Sequence, residues 1–278
     1  MRFIFLGTGT SAGVPAIACD CDTCTSDDPR DTRLRTGAAV CWTDTEGQER
    51  VVLIDATPDL RQQALAHSLQ RCDAVLFTHN HVDHVFGLDE VRRFNIVMQA
   101  PIDVYAEAHT MDSLRRVYAH VFEAHQNVNK SFVATLIPHE IEPARPIDLY
   151  GMRFTPLRLL HGRLPILGYR IEPAPGSTLR AAHDAEFLPM AYCTDVSRIP
   201  PETYPNLTGL GSLVLDCLRH RHHPTHLTVD QAITAASEIG AQRTWFVHMA
   251  HQIKHAEVDA MMPEESMRLA WDGLTLGE

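Results

Sequence analysis

The run Thr78-His79-Asn80-His81-Val82-Asp83-His84 constrains this chain more than any other stretch of it. It follows Ala74-Val75-Leu76-Phe77, an apolar, β-prone segment that reads as a buried strand. Three imidazoles and a carboxylate within six positions, just past a strand's C-terminal end, sit where a turning loop aims side chains into a shared cavity. Donors of this kind suit zinc, manganese or iron. A lone histidine at a strand end would be structural, whereas four donors at this spacing point to a metal.

Short β-rich runs alternate with amphipathic stretches through most of the chain, which makes it α/β without internal repeats. Strands are expected at 2–6, 38–42, 51–55, 74–78, 102–105, 152–160, 166–171, 190–194, 213–216 and 244–247, and helices at 59–69, 111–124, 229–239 and 254–262. No linker divides residues 1–278, so one domain is expected. Residues 108–131 read as a possible helical lid and 172–186, with Pro173, Pro175 and Gly176, as a long hairpin; either could set substrate choice.

Gly7-Thr8-Gly9-Thr10-Ser11-Ala12 fits a dinucleotide-binding fingerprint, but Gly13-Val14-Pro15 follows where a helix should open. The run is better read as a tight turn with a close backbone approach. Cys19, Cys21 and Cys24 then crowd into six residues of a loop at about 13–30, a spacing that fits a tetrahedral structural zinc with its fourth ligand from elsewhere. Cys41, Cys72, Cys193 and Cys217 stand singly in apolar runs and read as small buried hydrophobes.

With 24 Lys and Arg against 35 Asp and Glu, the formal charge of −11 argues against a polynucleotide ligand, whose affinity comes from neutralised phosphates. No apolar run reaches the ~18 residues of a membrane span, and Met1–Thr10 lacks a secretory apolar region. An odd number of cysteines, seven, fits a reducing compartment, so the expected location is the cytoplasm.

His79, His81, Asp83 and His84 resemble the H-x-H-x-D-H signature of the metallo-β-lactamase fold superfamily. Asp55 resembles that family's earlier strand-end Asp, His161 the His after the central strands, Asp195 the metal-bridging carboxylate and His248 the last ligand. The resemblance implies a four-layer αβ/βα sandwich. Gly7-Thr8-Gly9, Gly13-Val14-Pro15, C-x-C-x-x-C and Leu167-Gly168-Tyr169 are similar to the branch that contains phosphoribosyl 1,2-cyclic phosphate phosphodiesterases. In that branch the structural zinc is completed by a His three residues after the last active-site His, which is His251 here.

The resemblance implies two divalent metals, manganese or zinc, with His79, His81 and His161 on one, Asp83, His84 and His248 on the other and Asp195 bridging. It implies attack of a metal-bridging hydroxide on a small cyclic or nucleotide-like phosphodiester, with Asp83, Asp195 and His226 as the catalytic set and His226 as general acid. Thr228 would cap the following helix; His220, His222 and His223 read as exposed loop residues. Asp55 and Asp216 are expected to orient histidines or loop amides, with ordinary strand-end capping as the alternative, and Arg163 to form an exposed salt bridge, with a substrate phosphate contact as the alternative. Tyr118, His120 and Phe122 could line a lid, although Tyr118 and Phe122 also have the spacing of a packed helix face. Other readings are a thioester or RNA 3′-end hydrolase and a redox or carrier protein like that of pyrroloquinoline-quinone biosynthesis. A small-molecule substrate and a possible homodimer complete the expectation.

Overall fold

The computed structural model describes residues 1–129, 132–179 and 185–277. Strand β1 (Arg2–Gly7) shows how the sequence builds the layers. Its side chains alternate, Phe3 and Phe5 entering one apolar cluster while Ile4 and Leu6 enter another on the opposite face. β2 (Gly37–Thr43) and β3 (Glu49–Ile54) repeat the pattern, with Val40, Trp42, Val52 and Ile54 beside Phe3 and with Ala39, Cys41, Val51 and Leu53 beside Ile4. Strands apolar on both faces need cover on both, so the sheet must lie inside a layered body.

The chain continues through α1 (Leu60–Ala66), β4 (Ala74–Leu76), α2 (Val82–Val85), α3 (Arg92–Met98), β5 (Ile102–Ala106), α4 (Ala108–Val117), α5 (Ala119–Phe122) and β6 (Leu136–Glu140). The second half holds β7 (Ile147–Leu149), β8 (Met152–His161), β9 (Leu164–Pro173), β10 (Met190–Cys193) and β11 (Ser212–Asp216). It ends with α6 (Val229–Ile239), β12 (Arg243–Val247), α7 (His255–Asp259), β13 (Met267–Leu269) and β14 (Thr275–Gly277).

Two seven-stranded sheets result, in the orders β14-β1-β2-β3-β4-β5-β6 and β13-β12-β11-β10-β9-β8-β7. Each is antiparallel on one side and parallel on the other: β3 to β6 run parallel in the first sheet, β10 to β13 in the second. Between the sheets, Phe3, Val40 and Trp42 meet Phe154, Tyr169, Tyr192 and Trp245. Leu60, Met111 and Leu114 cover the first sheet's outer face, and Ala232, Ala236 and Val258 cover the second's. The body is the four-layer αβ/βα sandwich that the motifs implied.

All ten expected strands are present; β6, β7, β13 and β14 were not anticipated. The expected helix at 111–124 begins three residues earlier and breaks at Tyr118, whose φ of −108° and ψ of 36° interrupt it. Through Phe122 this segment forms part of the connection between parallel strands β5 and β6, with Met111, Leu114, Tyr118 and Val121 buried and the Tyr118 hydroxyl donating to the Val85 carbonyl at 2.9 Å. Residues 130 and 131, and 180–184 of the β9–β10 connection, lie outside the described residues. The turn after β1 opens no helix; a Cβ on Gly7 would lie 2.1 Å from the Arg35 carbonyl oxygen, so that glycine permits the close backbone approach. Among the described residues, no helix is long and apolar enough to cross a membrane.

Candidate metal and active site

Parallel strands deliver their following loops to one end of a sheet. At that end Asp55 follows β3, the 79–84 run follows β4, Asp195 follows β10, Asp216 closes β11 and His248 follows β12; His161 ends β8. Asp55, Asp195 and His248 have φ of 66°, 59° and 62°, a left-handed conformation that costs a non-glycine residue and turns each side chain sharply out of its strand. One sheet supplies His79, His81, Asp83 and His84, and the other supplies His161, Asp195 and His248.

These side chains converge in two adjoining groups. Donor atoms of His79, His81 and His161 lie within 4.8 Å of one another, as do those of Asp83, His84, Asp195 and His248. Asp195 lies between the groups: its Oδ1 is 4.0 Å from His79 Nε2 and 3.2 Å from His248 Nε2, and its Oδ2 is 3.2 Å from His84 Nε2. All are buried except His81, at the mouth.

The outer nitrogens of His79, His84 and His161 are fixed by neighbours. Asp55 Oδ2 accepts from His84 Nδ1 at 2.7 Å and from the Thr78 hydroxyl at 2.9 Å. Having donated its proton, Thr78 Oγ1 accepts from His79 Nδ1 at 3.0 Å, while His161 Nδ1 donates to the Thr225 carbonyl at 2.8 Å. Each ring therefore turns its Nε2 lone pair inward, and the buried Nε2 atoms of His79, His84 and His248 have no hydrogen-bond partner. Such oriented, unsatisfied nitrogens beside two carboxylates fit a pair of divalent cations.

Electrostatics agrees with that fit. Burial works to raise Asp195, yet His248 and His84 hold its carboxyl well below the usual range. Burial also opposes a charge on His84, but Asp195, Asp55 and Asp83 push its proton affinity far up. Burial dominates at His79, driven well down, and at His161, driven down to about 4. The Asp83–His84–Asp195–His248 group thus draws positive charge, and the His79–His81–His161 group presents bare lone pairs.

His226 stands against this centre, its ring 4.5 Å from that of His161 and stacked 4.7 Å from that of His248. Its Nδ1 donates to Asp216 Oδ1 at 2.9 Å, and Asp216 Oδ2 accepts from Leu227 N at 2.9 Å. Thr228 caps α6 through a reciprocal pair of bonds with Gln231. Gly162 has a φ of 65°, and a Cβ there would lie 2.8 Å from Thr225 Cγ2, so it lets the Thr225 carbonyl reach His161.

Several expectations change in detail. His220 and His222 are exposed, but His223 is half-buried with its ring 5.1 Å from that of His226. Arg163 is exposed and has no salt bridge among the described residues. Asp55 and Asp216 take the orienting positions foreseen for them. Thr78 and the Thr225 carbonyl went unassigned: Thr78 lies within the motif itself, but a backbone acceptor 64 residues from its partner leaves no sequence signal.

The cysteine loop closes on His251, whose Nδ1 lies 3.1, 3.4 and 3.7 Å from the sulfurs of Cys19, Cys21 and Cys24. A backbone N–H at Cys24 pulls the Cys21 thiol down to about 6, toward the thiolate that a metal takes. Arg33, fully buried, ties this corner to the chain that follows His248, donating to the carbonyls of Ala250 at 3.2 Å and Ile253 at 2.7 Å and to Asp31 at 3.0 Å.

A family model described as a Beta-lactamase superfamily domain matches residues 50–249. The chain belongs to that superfamily. A structure described as a new diphosphatase from the PhnP family superposes on this metallo-β-lactamase-fold chain with a TM-score of 0.84 and 37% identity, over 99% of this chain and 97% of the other. That likeness places the superfamily member in the PhnP branch. An octanoyltransferase of Porphyromonas gingivalis is 36% identical over 276 residues, 99% of this chain but 51% of that protein, so the chain spans about half of that relative's length. Zinc-bound PqqB from Methylobacterium extorquens shares the fold, with a TM-score of 0.74, 22% identity and full coverage of both chains.

Proposed function

We propose that this metallo-β-lactamase-fold protein is a dinuclear metal-dependent hydrolase whose substrate is a small cyclic or nucleotide-like phosphodiester. The observation that carries the reading is the meeting of the two donor groups at Asp195, with His226 beside them. His79, His81 and His161 would hold one divalent cation, Asp83, His84 and His248 the other, with Asp195 shared and zinc or manganese as the metal. Bound there, the metals would supply a shared water of lowered pKa and the positive charge that a phosphoryl oxygen needs. Cys19, Cys21, Cys24 and His251 would hold a structural zinc.

The chain's own groups supply the rest. Asp55 and Thr78 keep His84 and His79 from rotating. Asp216 fixes His226 through Nδ1, so in the doubly protonated ring the Nε2–H is the proton offered to the departing oxygen. An alkoxide needs that proton far more than a nitrophenolate does. The neighbour described as a diphosphatase of the PhnP family supports phosphorus ester chemistry.

Hydrolysis of bis(p-nitrophenyl) phosphate by manganese-loaded protein, with Asp195→Ala as control, tests the reading. Turnover that disappears in the variant is expected; a fully metallated protein without turnover overturns it. The octanoyltransferase relative favours acyl thioester hydrolysis as the second reading, and an octanoyl thioester in the same assay separates the two.

A further inference from the structure

A buried polar atom without a partner forfeits its hydrogen bond to water and gains none in return. The nitrogens of His79, His84 and His248 that stand so belong to the metal centre. Ser212 Oγ and Trp245 Nε1 stand so at the other end of the second sheet.

Strands β11 and β12 run parallel and lead at their C-terminal ends to Asp216 and His248. Ser212 and Arg243 open the same two strands, with about 13 Å of strand between Ser212 and Asp216. In register, Ser212 lies beside Arg243 and Val214 beside Trp245. Side chains two positions apart share a face of a sheet, so Ser212, Arg243 and Trp245 all turn to the side of Val214, the space between the sheets. Ser212 is 1% exposed and Trp245 8%, whereas Arg243 is exposed at the strand's start. Like several other surface arginines, Arg243 has no acidic partner among the described residues; here the free guanidinium stands beside two buried, unpartnered groups.

The three side chains line one cleft of about 930 Å³ at this pole of the sandwich. Phe187, Leu274 and Leu276 give it an apolar wall, each packed against the core between the sheets. The backbone around it is tied down, Gly211 N donating to the Pro189 carbonyl at 2.8 Å and Arg243 N to the Gly211 carbonyl at 3.1 Å. Glu186 is exposed on the same lining.

An indole N–H and a guanidinium can only donate, so a molecule that satisfies both must present acceptors. Arg243 makes a negative charge favourable there, and its planar fork matches a carboxylate. Glu186 offsets part of that attraction, which suits one negative charge better than the nearly two of a phosphate monoester.

We propose that this cleft is a ligand site separate from the metal centre, taking a small monocarboxylate with an apolar tail. The carboxylate accepts from Arg243, Ser212 and Trp245, and the tail lies against Phe187, Leu274 and Leu276. The assignment does not depend on the phosphodiesterase reading.

The test titrates 4-phenylbutanoate into the zinc-loaded, isotopically labelled full chain and follows the indole N–H resonance that Trp245→Phe deletes. A saturable shift with a Kd below about 1 mM is expected. Binding should be about 10- to 100-fold weaker in Arg243→Ala, which removes only an exposed side chain. Arg243→Lys should fall between, since charge survives without the fork. The alcohol with the same tail should bind at least about tenfold more weakly than the acid. An unmoved indole resonance, parent affinity in Arg243→Ala, or an alcohol that matches the acid overturns the site. Tighter binding of the corresponding phosphate monoester overturns the carboxylate assignment. Loss of the Trp245 shift in Asp195→Ala overturns the separation from the metal centre.

Discussion

Asp216 is the residue through which the acid and the donor cluster touch. Its Oδ1 lies 2.9 Å from His226 Nδ1 and 3.5 Å from His248 Nδ1, while Oδ2 holds the Leu227 amide. A carboxylate so placed fixes ring orientation and does not itself meet the substrate. On the proposed mechanism, His226→Ala should slow an alkyl diester about 10²- to 10⁴-fold and a p-nitrophenyl diester far less, because a nitrophenolate leaves unprotonated. Equal losses on both substrates in steady-state assays would remove the acid role. Asp55 serves the donor cluster in the same way, so Asp55→Ala should weaken metal affinity about 10- to 100-fold in a competition titration with a chromophoric chelator, whatever the substrate is.

At the scale of elements, loop positions carry the geometry, and Gly162 illustrates how narrowly. A methyl group there meets Thr225 at a left-handed φ, so Gly162→Ala should displace the carbonyl that holds His161. Lowered kcat and weakened metal binding, with a nearly unchanged melting temperature, would be the mark of that displacement. The sequence made the central strands legible because β1, β2 and β3 alternate between two apolar layers. It hid β6, whose Leu136–Glu140 run contains a proline and a histidine, and the three-residue strands β7, β13 and β14, too short to show a period. α2 was hidden inside the histidine motif, and α3 reads Arg-Arg-Phe-Asn-Ile-Val-Met, a run of mixed helix propensity. Every proposed metal ligand was legible from spacing and resemblance together. The half-buried position of His223 and the hold of the Thr225 carbonyl on His161 were not, because both depend on contacts between segments distant in the chain.

For the whole molecule, two buried titratable groups near the N-terminal loop pull stability in opposite directions with pH. Asp272 accepts from Thr8 Oγ1 at 2.8 Å and Leu34 N at 2.7 Å, yet burial pushes its carboxyl up to about 6 from an ordinary 3.8. The folded protein therefore holds that proton more tightly than the unfolded chain; the contribution is complete below about pH 3.8 and is lost as pH rises through about 6. His255 is the reverse. Burial, with Arg30 adding to it, drives it down to about 4 from 6.5, so its contribution stands above pH 6.5 and is lost as pH falls through about 4. Urea unfolding should show Asp272→Asn gaining on the parent as pH rises from 4 to 7, and His255→Phe gaining as pH falls over the same range, each by at most about 3 kcal/mol. Parallel curves for parent and variant would deny the group its role.

Strand β1 waits for β14. β1 lies between β2 and β14, Gly9 bridges Met249, Leu34 N donates to Asp272, and Arg33 donates to the carbonyls of Ala250 and Ile253. A ribosome that has delivered β1 to β6 has therefore not delivered the partners that close the loop after β1. Closure of this sheet has to wait for β14, and a nascent chain stalled before residue 249 should remain open to protease and to chaperones however sound its individual strands are.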